Sequence, residues 1–195
     1  MPKIRLGRTN IVVEKNEFGA LPIQRVSVED SIKILQRAYD AGIEFYDTAR
    51  AYSDSELKLG LALSGVRDKI YIATKTKGTN VKSFWEDLHT SLTTLKTDYI
   101  DVYQFHNPTF LPLPEDGTGL YEAMLEAKKQ GKIRFIGFTN HRMHLAIKSV
   151  ESGVYDTLEF PFSYLADEKD TALVNMCATQ DVGFICMKAL SDRKS

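Results

Sequence analysis

The sequence feature that most constrains the fold is a regular alternation of helical patterns with short runs of β-branched and aromatic residues, which begins after residue 25. The first helical pattern starts at a Ser27 cap and stops at Gly42, and residues 44–47 then form a short run of the strand type. Because the same unit recurs along the chain, the sequence predicts βα units around a parallel sheet.

The repeat predicts six helices and seven strands, each βα step taking about 25 to 30 residues, as in a TIM barrel. We therefore expect an incomplete (β/α)8-type barrel that lacks the last helix, strand and helix. The alternative is a doubly wound open sheet, but residues 18–22 lack the Gly-rich phosphate turn that usually follows the first strand of such a fold. The other predicted helices occupy residues 56–64, 84–95, 120–129, 145–150 and 168–179, and the other strands occupy residues 16–20, 70–74, 100–105, 133–138, 157–160 and 183–187.

Two segments outside the repeat have predicted roles. Residues 3–13 alternate in polarity around Thr9 and Asn10, which predicts a small hairpin that closes the bottom of the barrel. Residues 107–119 contain three prolines and follow a predicted strand end, which is where functional loops of this fold lie.

Composition excludes several classes of partner. The 25 basic and 26 acidic residues give a net charge of −1, which provides no broad cationic surface for nucleic acid or an anionic membrane. Cys177 and Cys186 lack the spacing of a zinc or iron-sulfur site and are expected to be buried thiols. Residues 1–10 have no apolar core, and no later segment is long enough to span a bilayer. We expect one cytoplasmic domain over residues 1–195.

Four polar side chains are predicted to meet at one mouth of the barrel, because the carboxyl ends of its parallel strands converge there. Asp47, Lys75 and His106 end the second, third and fourth predicted strands, and Tyr52 lies in the loop after Asp47. Each of these residues alone is more often structural than catalytic. Their placement at successive mouth positions favours a shared catalytic role.

The chemistry that these side chains suit is proton delivery to a carbonyl oxygen. The Lys75 ammonium is expected to lower the pKa of Tyr52 toward neutrality, and Asp47 to keep Lys75 charged. A neutral His106 is expected to donate a hydrogen bond to the carbonyl oxygen and orient it.

Several motifs, taken in order, resemble those of the aldo-keto reductases. Residues 47–52 read DTARAY and are followed by Ser55-Glu56, and residues 73–75 read ATK. Residues 98–106 read DYIDVYQFH and residues 131–140 read GKIRFIGFTN, which resemble the histidine strand and the nicotinamide-binding strand. The resemblance implies NADPH as cofactor, no metal, and reversible reduction of a small-molecule aldehyde or ketone. It also implies that Tyr52 is the general acid.

The resemblance also assigns a cofactor-binding set. Thr139 and Asn140 keep the hydroxyl and amide expected beside the nicotinamide, while Glu159 stands where the family commonly has Gln. Met187 replaces a stacking aromatic residue. Two further residues, Lys188 and Leu190, are assigned to the approach to the pyrophosphate.

The local sequence at residues 20–25, 52–56 and 106–108 resembles a bacterial or archaeal branch of the family. Full-length members of that branch often carry an additional iron-sulfur region, which we do not expect in this sequence. The sequence stops where the family continues with the parts that hold the adenosine phosphate. We therefore expect weakened NADPH binding and pairing of two copies through the open barrel edge.

Two other hypotheses stay open at the level of sequence. The first is a metal-dependent barrel hydrolase that would use Asp47, His106, His141 and His144 as ligands. The second is a partial barrel without activity that serves as a binding or assembly module. Metal analysis would separate the first from a reductase, and a cofactor titration would separate the second.

Overall fold

A computed structural model describes residues 3–189 of the chain. None of the described helices combines the length and the apolar character that a bilayer-crossing helix requires. The described strands are β1 (Lys3–Arg5), β2 (Val12–Glu14), β3 (Phe18–Gly19), β4 (Phe45–Asp47), β5 (Tyr71–Thr76), β6 (Ile100–His106), β7 (Ile133–Thr139), β8 (Thr157–Pro161) and β9 (Gly183–Met187). The described α-helices are α1 (Val28–Asp40), α2 (Ser55–Leu63), α3 (Val81–Leu95), α4 (Leu120–Lys129), α5 (Met143–Glu151) and α6 (Glu168–Thr179).

The main sheet is parallel and follows the order of the chain. Among the described residues it has seven strands, β3 to β9, and each strand pairs with the next one in sequence. One α-helix lies between each pair of consecutive strands. This arrangement confirms the incomplete TIM-type barrel and not the doubly wound sheet. Strand β6 is buried along almost its whole length, as expected of a strand that helices cover.

Strand ends at the mouth extend further than the sequence pattern predicts. Strand β5 continues to Thr76, β6 includes His106, and β7 includes Thr139. These polar residues continue the backbone ladder, since Thr76 pairs with Phe105 and His106 pairs with Thr139. Apolar periodicity does not detect such residues, because the ladder is made by backbone groups and not by side chains.

The predicted N-terminal hairpin is confirmed and closes the bottom of the barrel. Strands β1 and β2 pair antiparallel. The apolar side chains of the hairpin, Leu6, Ile11 and Val13, pack in the barrel interior. Gly7 in the hairpin turn has φ +52°, and a Cβ there would lie 2.1 Å from the Gly183 nitrogen, so only glycine fits. The interior cluster at this end contains Leu6, Ile11, Val13, Phe45, Ala73, Val102 and Ile185.

The two edge strands of the main sheet are β3 and β9. Within residues 3–189, neither strand pairs with a further strand beyond β4 and β8 respectively. An edge of this kind presents unpaired backbone groups. Pairing of two copies through it stays a prediction.

Candidate active site

The barrel brings the predicted catalytic residues together at its mouth. Asp47 is the last residue of β4, Lys75 lies in β5 and His106 ends β6. The Lys75 nitrogen lies 5.4 Å from the centroid of the Tyr52 ring. The Tyr52 and His106 rings meet edge to face, with their centroids 5.6 Å apart. Residues from three strands and one loop therefore share a single site.

Lys75 is the buried centre of this site, with 1% of its surface exposed. Its ammonium donates to Asp47 Oδ2 at 2.5 Å and to the Thr48 carbonyl oxygen at 2.8 Å. Glu159 Oε2 lies 3.3 Å from the same nitrogen. Burial of Lys75 favours the neutral amine, but Asp47 and Glu159 outweigh burial and raise the pKa of Lys75, so it stays charged.

The pKa of Asp47 is also set by opposing effects of burial and of neighbouring charges. Burial and then the charge of Glu159 raise the pKa of Asp47, while Lys75 lowers it. Asp47 Oδ1 has no hydrogen-bond partner among the described residues. The Asp47 carboxylate thus relies on Lys75 for stabilisation of its charge.

The environment of Tyr52 differs from the sequence expectation. Burial raises the pKa of Tyr52, and the lowering effect of Lys75 does not overcome it because Asp47 and Glu159 act in the opposite direction. The sequence reasoning included Lys75 but neither the burial nor the second carboxylate. Tyr52 is therefore a protonated phenol at neutral pH.

His106 is neutral, as the sequence hypothesis requires. Burial, and after it the positive charges of Lys75 and Lys77 and the neighbouring His141, lower the pKa of His106 to about 3. Its Nδ1 atom has no partner among the described residues. A neutral imidazole can donate one hydrogen bond, which suits it to a carbonyl oxygen.

The loop that carries Tyr52 is fixed from both sides. The Thr48 and Arg50 amides donate to the carbonyl oxygens of Ala73 and Lys75 on β5, at 2.9 Å and 3.0 Å. Arg50 also forms an ion pair with buried Glu56. Glu56 in turn accepts hydrogen bonds from the hydroxyls of Thr74 and Ser91, both at 2.7 Å. These contacts give a structural reason for the DTARAY and Ser55-Glu56 motifs.

Two of the predicted nicotinamide-side residues, Thr139 and Asn140, lie at the end of β7 and directly after it. Buried Thr139 ends β7 and pairs with Glu159 in β8. The Asn140 amide is already engaged: its Nδ2 donates to the Pro108 carbonyl oxygen and its Oδ1 accepts from the Arg142 amide, both at 2.9 Å. Asn140 therefore fixes the loop after β6 against the loop after β7.

The remaining predicted cofactor residues lie beyond β8. Met187 ends β9 and is half-buried, and its carbonyl oxygen accepts from the Phe162 amide at 3.1 Å. Lys188 is exposed and has a positive φ of 58°. Leu190 lies outside the described residues.

Sequence reasoning missed two polar residues of the site. Gln104 in β6 is fully buried, and its Nε2 donates to Glu159 Oε2 at 2.9 Å. Glu17 precedes β3, and burial together with the charges of Asp47 and Glu159 raises the pKa of Glu17 from 4.5 to about 8. Gln104 interrupts an apolar strand pattern, and that is the signal that could have identified it. Glu17 lies in the polar run of residues 14–17 and carries no such signal.

Glu17→Gln is expected to flatten the pH dependence of stability. A carboxyl whose pKa is raised on folding keeps its proton in the native state, so the wild type loses stability as pH rises from 4.5 to about 8. Above that range the variant should be more stable by on the order of 1 to 2 kcal/mol, since solvent screens part of the penalty at this partly exposed side chain.

Urea unfolding at several pH values measures this effect. Glu151→Gln, at the exposed end of α5, is the matched control and should keep the wild-type pH dependence. Parallel pH curves for Glu17→Gln and wild type would show that Glu17 does not carry the effect.

The hydrolase hypothesis requires a metal site, and the described part of the chain contains none. Across residues 3–189, no group of three or more His, Cys, Asp or Glu side chains is arranged to hold a metal ion. His141 and His144 therefore do not converge with Asp47 and His106 into a ligand set.

Comparison with known families identifies the family of the chain. The profile of the Aldo/keto reductase family matches residues 15–192, which is most of the chain. The chain belongs to the aldo/keto reductase family. The family assignment rests on the whole barrel sequence and not on the site motifs alone.

Curated relatives support the assignment and are longer than this chain. The chain is 31% identical over 183 residues to aldo-keto reductase YhdN of Bacillus subtilis, covering 84% of this chain and 54% of that protein. It is 34% identical over 127 residues to methylglyoxal reductase DkgA of Escherichia coli, covering 64% of this chain and 45% of that protein. The chain thus spans about half the length of the curated relatives it matches.

Solved structures share the fold. Aldo-keto reductase AKR11C1 from Bacillus halodurans, in its holo form, superposes with a TM-score of 0.83 at 25% identity, over 95% of this chain and 65% of that one. The Bombyx mori aldo-keto reductase AKR2E4, in complex with NADP, superposes with a TM-score of 0.78 at 19% identity, over 96% of this chain and 66% of that one. At that identity the second likeness concerns the fold alone.

Proposed function

We propose that this chain carries the catalytic mouth of an NADPH-dependent oxidoreductase that reduces an aldehyde or ketone to an alcohol. The observation that carries the proposal is the convergence of Tyr52, Lys75, Asp47 and His106 in a chain of this family. A buried phenol beside a fixed ammonium and a neutral imidazole is suited to protonating a carbonyl oxygen.

Each residue of the proposed site has a distinct task. Tyr52 is the general acid, because burial keeps its phenol protonated at neutral pH. His106 is neutral and orients the carbonyl oxygen by a hydrogen bond. Lys75, held by Asp47, stabilises the negative charge that Tyr52 acquires when its proton leaves.

The residues at the mouth fit a bound nicotinamide cofactor. NADPH, when bound, supplies the hydride that the reduction requires. Asp47 Oδ1 and His106 Nδ1 retain unused hydrogen-bonding capacity among the described residues, which suits a site for polar molecules. The residues that would hold the cofactor are Thr139, Asn140, Glu159, Met187, Lys188 and Leu190.

The proposed substrate is a small carbonyl compound. The Escherichia coli relative is named a methylglyoxal reductase, which supports this class of substrate. Specificity in this fold arises from loops, so the segment between β6 and α4 is where a particular carbonyl compound would be selected. The cytoplasmic location predicted from the sequence stays a prediction.

A titration of NADPH fluorescence with the 195-residue chain tests the proposal. Binding, followed by aldehyde-dependent loss of NADPH absorbance, is the expected result. Binding without turnover would favour the alternative of a binding module without activity. Absence of both would overturn the proposed function for this chain.

A further inference from the structure

Glu159 occupies an unusual position for a residue assigned to the cofactor. Its side chain is buried in β8, with 4% of the residue exposed. Its Oε2 atom faces two partners at once, the Gln104 amide at 2.9 Å and the Lys75 ammonium at 3.3 Å. Glu159 is thus in direct contact with the group that is expected to act on Tyr52.

The Lys75 ammonium is already engaged by groups other than Tyr52. An ammonium carries three N–H groups, and two of them donate to Asp47 and to the Thr48 carbonyl. The Glu159 carboxylate is the third oxygen group within ion-pair distance. Lys75 therefore reaches Tyr52 only through space, at 5.4 Å from the ring centroid.

The charges of the site also reduce the effect of Lys75 on Tyr52. One ammonium faces two carboxylates, Asp47 from β4 and Glu159 from β8. Glu17, before β3, adds no charge at neutral pH because its pKa is raised to about 8. His106 from β6 contributes no charge because its pKa is lowered to about 3. In a buried site such charges act with little screening, so Glu159, together with Asp47, offsets part of the positive field of Lys75 at the phenol.

We propose that Glu159 is a positioning residue for proton transfer: its carboxylate contacts the Lys75 ammonium and thereby keeps Tyr52 in its protonated form. This inference rests on the proposed function and deepens it. Reduction requires the phenol as proton donor, whereas alcohol oxidation requires the phenolate as acceptor. Glu159 therefore biases the site toward reduction and extends the reduction reaction to higher pH.

The test is a titration of Tyr52 without cofactor or substrate. The protein is prepared with ring-labelled tyrosine, and the Tyr52 signal is assigned by its loss in Tyr52→Phe. Glu159→Gln keeps the shape of the side chain but removes its charge, so the pKa of Tyr52 should fall by about one unit. Glu151→Gln removes an exposed charge at the end of α5 and should leave the Tyr52 titration unchanged.

An unchanged or higher pKa of Tyr52 in folded Glu159→Gln would overturn the proposal. If that variant does not fold, Gln104→Met gives the test in the opposite direction. Loss of the amide leaves the Glu159 charge less compensated, so the pKa of Tyr52 should rise by about half a unit. A fall or no change in that variant also overturns the proposal.

This readout separates the inference from the proposed function. The Tyr52 titration needs neither NADPH nor turnover, so an inactive chain can still show the shift. Conversely, an active chain in which Glu159→Gln leaves the Tyr52 titration unchanged keeps the proposed function and removes the role of Glu159.

Discussion

Tyr52→Phe is expected to lower kcat for reduction of a simple aldehyde by about a hundredfold to ten-thousandfold, which is the usual contribution of general acid catalysis. The substitution removes only the phenol oxygen and keeps the ring that packs edge to face against His106. NADPH affinity should therefore change little. Steady-state kinetics with NADPH and a generic aldehyde, together with the fluorescence titration, measures both quantities.

Tyr164→Phe is the matched control for this prediction. Tyr164 is 81% exposed in the loop after β8, so loss of its hydroxyl should leave kcat near the wild-type value. Near-normal turnover in Tyr52→Phe would remove Tyr52 from the role of general acid. Equal losses in both variants would show that the effect is not specific to the mouth.

Lys75→Met is expected to destabilise the fold by about 3 to 5 kcal/mol, because it leaves buried carboxylates without their cation. Asp47 loses its hydrogen-bonded partner, and Glu159 loses its ion pair. In the variant the Asp47 carboxyl should keep its proton to higher pH in the folded state than in the unfolded state. The destabilisation should therefore be smaller in acid and grow as pH rises.

The same variant should raise the pKa of Tyr52 further, since Lys75 is the charge that lowers it. Urea unfolding across pH and the ring-labelled tyrosine titration measure the two effects. Lys148→Met, at an exposed position on α5, should change neither quantity. A Tyr52 titration that does not move upward in Lys75→Met would show that the ammonium does not act on the phenol.

The sequence by itself determined the barrel and which polar side chains meet at its mouth. The bounds predicted for α4, α6 and β9 coincide with those of the structure. The reason is clearest for α4, where apolar periodicity and the Gly131 stop define the helix. The site residues were accessible for a related reason. A parallel barrel places the ends of its strands at one mouth, so polar residues such as Asp47 and His106 at strand ends are neighbours whatever their distance in sequence.

Only the tertiary structure decided how these residues act on one another. Gln104 and Glu159 are 55 positions apart, and their hydrogen bond depends on the stagger of β6, β7 and β8. The pKa of Tyr52 moves opposite to the sequence expectation because burial, together with Asp47 and Glu159, exceeds the effect of Lys75. A pKa depends on desolvation and on the distances between charges, and both are properties of the packed fold that residue order does not contain.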